Sequence, residues 1–220
     1  MCLDMTLEAL RYLGAGRGAP EELRQSVERA AQELSGQVKS RYVYRIFSLE
    51  PEQEGFSLPQ AGLLLTGQTA RTMLTGCAQA ALLCCTLGAR FDALLRACQV
   101  RDMAQAVILD ACGSALVEEG CDAAQEEMVQ LLPGKFLTDR FSPGYGDLPL
   151  PLQQGLCAAL DASRRLGVHV TRQYLLNPGK TVTAVVGISG KPQPARVRGC
   201  AFCSMRERCT LYKGGKTCGV

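Results

Sequence analysis

Two groups of residues in this sequence have the types and the spacing to do chemistry. The first is the stretch RFSPGYGDLP, Arg140 to Pro149. Pro143 fixes its own φ and pushes Ser142 toward an extended conformation, while Gly144 can take the positive φ of a type II turn and let a ligand come close to the backbone. The expectation is a stiff loop with open main-chain groups. Arg140 on one side can fork onto a carboxylate, and Tyr145 on the other can lie against a purine or a cationic sulfur centre. Together they suit a zwitterionic nucleoside such as S-adenosylmethionine. The same residues also make an ordinary Pro-Gly turn with a surface arginine and a core tyrosine, and residue type alone does not choose between the two.

The second group is the cysteine run CAFCSMRERCTLYKGGKTC, in which Cys200, Cys203, Cys209 and Cys218 are spaced C-x2-C-x5-C-x8-C. A C-x2-C turn directs two thiolates at one ion, and two further thiolates complete a tetrahedral set. Disulfides are the competing use of these cysteines; without a secretory leader the metal reading is preferred. Zinc would staple the segment, whereas an iron–sulfur cluster would handle electrons. Arg206, Arg208, Lys213 and Lys216 lie among these cysteines and would offset the thiolate charge in either case.

Other chemistry is thinly represented. His169 is the only histidine, set in LGVHVTR, and is expected as a half-buried strand residue. No nucleophile–base pair and no phosphate-cradling glycine motif stands out. Of the twelve cysteines, Cys77, Cys84, Cys85, Cys98, Cys112, Cys121 and Cys157 lie in apolar stretches and are expected as reduced core residues. Charge divides the chain: residues 191–220 carry +6, which leaves −3 for residues 1–190.

The elements that must position these residues follow from periodicity. LEALRYLG and PEELRQSVERAAQELSG have helical spacing and each stops at a glycine. RYVYRIFSL alternates as a half-buried strand, AGLLLTG reads as another strand, TARTMLTGC as a helix, and AALLCCTLG as a buried strand ending at Gly88. FDALLRAC is helical. Residues 102–132 give the longest helical pattern, with an interruption at Gly113 or Gly120 left open. Leu152, Leu156, Ala159 and Leu160 mark one face of a helix that Gly167 ends, and GVHVTRQYLLNPGKTVTAVVGIS is an extended segment, a Pro178-Gly179 turn and a strand. Without regular βαβ alternation the predicted class is α+β: a mainly antiparallel sheet with packed helices and a small Cys-rich C-terminal metal-binding tail. The organisation read from this is an N-terminal helical segment over 1–39, a main domain over 40–190, and a linker and tail over 191–220. No apolar run approaches the roughly 20 residues of a membrane helix, and the start has neither a basic leader nor an apolar core, so the expected location is cytoplasmic.

RFSPGYGDLPLPLQ, the upstream helix with SALVEEG and the downstream GVHVTRQYLLNPGKTVTAVVGIS resemble the activation domain of cobalamin-dependent methionine synthase over roughly residues 40–190, a family with an Arg-x-x-Pro-Gly-Tyr loop, a following helix and a segment with a Pro-Gly turn before a strand, in this order. The resemblance implies binding of S-adenosylmethionine and a part in rescuing cobalamin oxidised to the cob(II) state, by one electron and a methyl group. It places Arg140, Ser142, Gly144 and Tyr145 on the ligand loop. It also points to Glu118, or Glu119 with a shifted helix register, as an acidic contact; either could instead be a solvated helix-face charge. Two departures stand out. The chain lacks the Asp-x-His-x-x-Gly cobalamin motif, so cobalamin would be presented by a separate methionine synthase or corrinoid protein, with an electron-donor protein as a further partner. Gly146 and Asp147 also differ from other members and are expected to alter the pocket.

Two other classes remain. The tail's +6 could neutralise phosphates as part of a zinc-ribbon-like nucleic-acid binder, against which stand a net acidic body and only Phe202 and Tyr212 for stacking. A scaffold that keeps the fold without the ligand is the other.

Overall fold

The computed structural model describes residues 4–193. Cys200, Cys203, Cys209 and Cys218, and the metal expected on them, lie outside the described residues. α1 (Met5–Tyr12) starts where the Asp4 carboxylate accepts from the Thr6 and Leu7 amides, and α2 (Glu21–Gln37) carries two glutamates in its first turn, where they meet the positive end of the helix dipole. β1 (Arg41–Ser48) leads into a small antiparallel sheet of β2 (Glu50–Glu52), β3 (Gly55–Leu58) and β4 (Leu63–Thr66). Then come α3 (Gly67–Leu74), β5 (Cys77–Thr86), α4 (Gly88–Arg101) and α5 (Met103–Leu131), followed by β6 (Phe136–Leu137), α6 (Leu152–Ala159) and α7 (Ala162–Leu166). β7 (His169–Val170), β8 (Leu176–Asn177) and β9 (Thr181–Ser189) complete it.

The main sheet is antiparallel in the order β1-β5-β9-β6 and separates two cores. Alternate residues serve opposite sides. Ala81, Leu83 and Cys85 of β5, with Ala184 and Val186 of β9, meet α1, α2, α4 and α5. Ala80, Leu82 and Cys84, with Val185, meet the small sheet, α3, α6 and α7. Burial on both faces explains why β5 and β9 read as continuous apolar runs while β1 alternates. The α+β class is as expected.

α5 runs unbroken through Gly113 and Gly120 for 29 residues. Gly113 is needed for close approach: a Cβ there would lie 2.2 Å from Cζ of the fully buried Phe91 on α4. Tyr42 and Tyr44 both donate to the Glu127 carboxylate at 2.8 Å, which ties β1 to α5. Burial, and then that bond, push the Tyr44 phenol up to about 12.

The structure corrects two expectations. The helix after Pro151 does not run on to Gly167: it breaks at Asp161, a left-handed residue (φ 53°), into α6 and α7. His169 is exposed on the two-stranded β7–β8 ribbon, with Nδ1 3.2 Å from Ser163 Oγ, instead of half-buried. The seven described cysteines carry free thiols; Cys84, Cys85, Cys112, Cys121 and Cys157 are buried, Cys77 and Cys98 half-buried. Among the described residues no helix is long and apolar enough to cross a membrane, and no group of three His, Cys, Asp or Glu is placed to hold a metal.

Candidate functional site

Arg140 is delivered by the segment that follows β6: Phe141 exchanges main-chain hydrogen bonds with Val185 of β9 at 2.8 and 3.1 Å in an isolated bridge, which leaves the residue before it facing α5. Its guanidinium bonds Glu118 and Asp122 and donates to Gln125 Oε1. These three acceptors sit at helical spacing, so one face of α5 receives the whole fork. Arg140 is 12% exposed, with Glu118 at 31% and Asp122 at 24%. Burial by itself lowers the Arg140 pKa, but the charge of Glu118 and the hydrogen bonds to Glu118 and Asp122 outweigh it, and the net direction is upward. The guanidinium is permanently charged.

The same row of α5 carries a second cation. Asp110, Ser114, Glu118 and Asp122 recur every four residues, and Lys180 Nζ, from the turn before β9, lies 3.0 Å from Asp110 Oδ2 and 2.8 Å from Ser114 Oγ. A polar row held by Lys180 at one end and Arg140 at the other runs along the helix. Tyr12 of α1 stands near its Arg140 end. Burial raises the Tyr12 pKa first and the charge of Glu118 second.

The loop after Arg140 has the expected turn. Gly144 is at φ +87° and the Tyr145 amide donates to the Ser142 carbonyl at 3.0 Å, which is the type II arrangement with Pro143 buried beneath it. A second turn follows: the Leu148 amide donates to Tyr145 O at 3.0 Å, and the Gly144 amide donates to Leu148 O at 2.9 Å. The loop is therefore stiff, but the amides of Gly144 and Tyr145 are used inside it, contrary to the expectation of open main-chain donors there. Ser142 is half-buried, and Tyr145 is 38% exposed.

Gly146 and Asp147 fasten this loop to the start of α3. The Asp147 carboxylate accepts from the Gln68 amide at 2.5 Å and the Thr69 amide at 2.8 Å, capping a helix remote in sequence. A Cβ on Gly146 would lie 2.3 Å from Thr69 Oγ1. The Thr69 hydroxyl and amide, then the Gln68 amide, hold the Asp147 carboxyl down at about 2.

Of the residues singled out in the sequence, the structure brings Arg140 and Glu118 into contact and puts Ser142, Gly144 and Tyr145 on the adjoining turn. Glu118 rather than Glu119 is the residue that meets Arg140. The guanidinium forks onto the chain's own acids, where sequence reasoning had assigned it to a ligand carboxylate. Asp122, Gln125 and Tyr12 were missed; the spacing of the first two from Glu118 was the available signal, whereas nothing in α1 announced Tyr12.

No protein-family model matches the chain, and no curated protein does. Among solved structures, the crystal structure of the MetH reactivation domain bound to AdoHcy superposes with a TM-score of 0.59 at 15% identity, over 90% of this chain and 73% of that one. The chain has the fold of that domain. At this identity the likeness concerns the path of the backbone.

Proposed function

We propose that this chain binds S-adenosylmethionine at the Arg140–Glu118 end of the α5 row and supports reductive methylation of cob(II)alamin held by a separate protein, a cobalamin-dependent methionine synthase or another corrinoid protein. One observation carries the reading: Arg140 and Glu118 pair beside the Pro143-Gly144-Tyr145 turn, in a chain with the fold of a domain crystallised with AdoHcy.

The residues present fit such a ligand. An amino-acid head group carries both signs, and the Arg140–Glu118 pair offers the complement of each: the guanidinium takes the carboxylate while Glu118 accepts from the ammonium. Asp122 and Gln125 keep the guanidinium aimed during that exchange. The exposed Tyr145 ring is available to the adenine or the sulfonium. Bound S-adenosylmethionine supplies the methyl group, which leaves sulfur as a cation equivalent, and one electron must first reach the cobalt. The chain's own part is to bind, orient and present the methyl group, so positioning carries its contribution to rate. The electron is assigned to an iron–sulfur cluster on Cys200, Cys203, Cys209 and Cys218, with zinc as the alternative, and to a donor protein upstream of it.

The test is methyl transfer from methyl-labelled S-adenosylmethionine to cobalamin under a strong reductant, with and without the chain. Label appearing on cobalamin, with AdoHcy as co-product, in proportion to the chain added is the expected result. Transfer at the rate of the chain-free control contradicts the proposal.

A further inference from the structure

The small sheet carries a groove of about 540 Å³ that the proposed ligand site does not use. Glu50, Glu52 and Glu54 line it together with the apolar Pro59, Leu63 and Leu64, and Leu64 is 40% exposed. β2 is the outer strand of this sheet, all three of its residues are exposed, and its free edge has no strand beside it among the described residues. Arg71 donates to the Gln53 carbonyl at the hairpin tip. An apolar groove with a carboxylate rim beside an open strand edge fits an extended basic segment.

The chain contains a basic segment whose described lead-in ends close by. Ser48, Gln79 and Ile188 share one row across β1, β5 and β9, so β9 ends beside the point where β1 passes into the acidic hairpin, about 10 Å away at two strand spacings. Beyond Gln193 come Arg196, Arg198, Arg206, Arg208, Lys213 and Lys216 against a single Glu207. At about 3.3 Å per extended residue, Arg196 lies within roughly 25 Å of Ser189, and reach does not limit contact. We propose that residues 194–220 dock intramolecularly in this groove, with their arginines and lysines against Glu50, Glu52 and Glu54.

Docking there has a consequence for the ligand loop. The Glu54 carbonyl accepts from the Gly67 amide at 3.4 Å, and Gly67 abuts the Asp147 carboxylate that anchors the loop. The hairpin tip, the start of α3 and the Pro143-Gly144 turn thus form one contact chain, through which a tail docked on the hairpin would be linked to the ligand loop. That consequence rests on the proposed function; the docking itself does not.

Zero-length carbodiimide coupling of the full chain at low salt, with the linked peptides mapped by mass spectrometry, tests the docking without ligand or activity. Lys213 or Lys216 should become joined to Glu50, Glu52 or Glu54 within one chain, with yield falling at least about fivefold in 1 M salt. A full-chain variant with R206E, R208E, K213E and K216E should exchange the amides of residues 50–64 about tenfold faster than wild type. Mixing chains labelled with light and heavy nitrogen separates the outcomes. Links only between copies, links that avoid the hairpin, or exchange unchanged in the variant would each overturn the proposal.

Discussion

Asp147 gives the clearest single-residue test of how the candidate loop is held. Its carboxyl sits at about 2 in the folded chain against an ordinary 3.8, because the Thr69 and Gln68 donors favour the ionised form. Between those values the unfolded chain binds more protons, so the stabilisation is complete above pH 3.8 and is lost as pH falls toward 2. Melting temperature should therefore fall with acid in that window, and Asp147→Asn should make the curve shallower there; a variant curve parallel to wild type from pH 4 to 2 contradicts the clamp. The sequence showed Gly146 and Asp147 only as a departure from the family pattern. Their role was illegible because the partner is the start of α3, some eighty residues earlier in the chain. Gly144 was legible, since a Pro-Gly pair specifies its own local geometry. The partners of Arg140 were half legible: Glu118 came from the resemblance, while its pairing to Arg140 required knowing which face of α5 the strand after β6 meets.

At the scale of elements, α5 is the part on which most else depends, and its glycines are set by neighbours rather than by helix geometry. Alanine favours a helix over glycine by up to about 1 kcal/mol. At Gly36 on α2 a Cβ meets nothing within 4 Å, so Gly36→Ala should be neutral or stabilising by up to that amount. At Gly113 the same change drives a methyl into the Phe91 ring, and overpacking of about 1–3 kcal/mol should win. Denaturant melts of both variants decide it; a Gly113→Ala chain as stable as Gly36→Ala, or more so, would mean that α4 and α5 do not cross as closely as described. The long apolar helix and the buried strands were readable because their periodicity is strong. The hairpin of β2 and β3 was not, because Glu50, Pro51 and Glu52 are an exposed edge with no apolar face to signal it. The break between α6 and α7 was hidden for the opposite reason: Leu156, Leu160 and Leu166 keep contributing to one core across it.

For the whole molecule, the sheet with a core on each face joins the N-terminal helices to the loop, and the α+β class followed from the element order even though the sheet's central position did not. The chain's two chemical groups lie in different stretches of the sequence, and each has its own test. Anaerobically prepared full chain is predicted to carry iron and sulfide, with a reducible absorption band and a paramagnetic signal on reduction, all diminished in Cys203→Ser; stoichiometric zinc without sulfide removes the electron-handling role while leaving ligand binding intact. Ligand binding is the central claim, and calorimetric titration of S-adenosylmethionine into the full chain tests it most directly. The predicted result is saturable heat at one site. Arg140→Lys keeps the charge but loses the fork, and should weaken affinity by about 1.5–3 kcal/mol with the thermal transition retained. No heat with either S-adenosylmethionine or S-adenosylhomocysteine, or an affinity that neither Arg140→Lys nor Glu118→Gln changes, would contradict it.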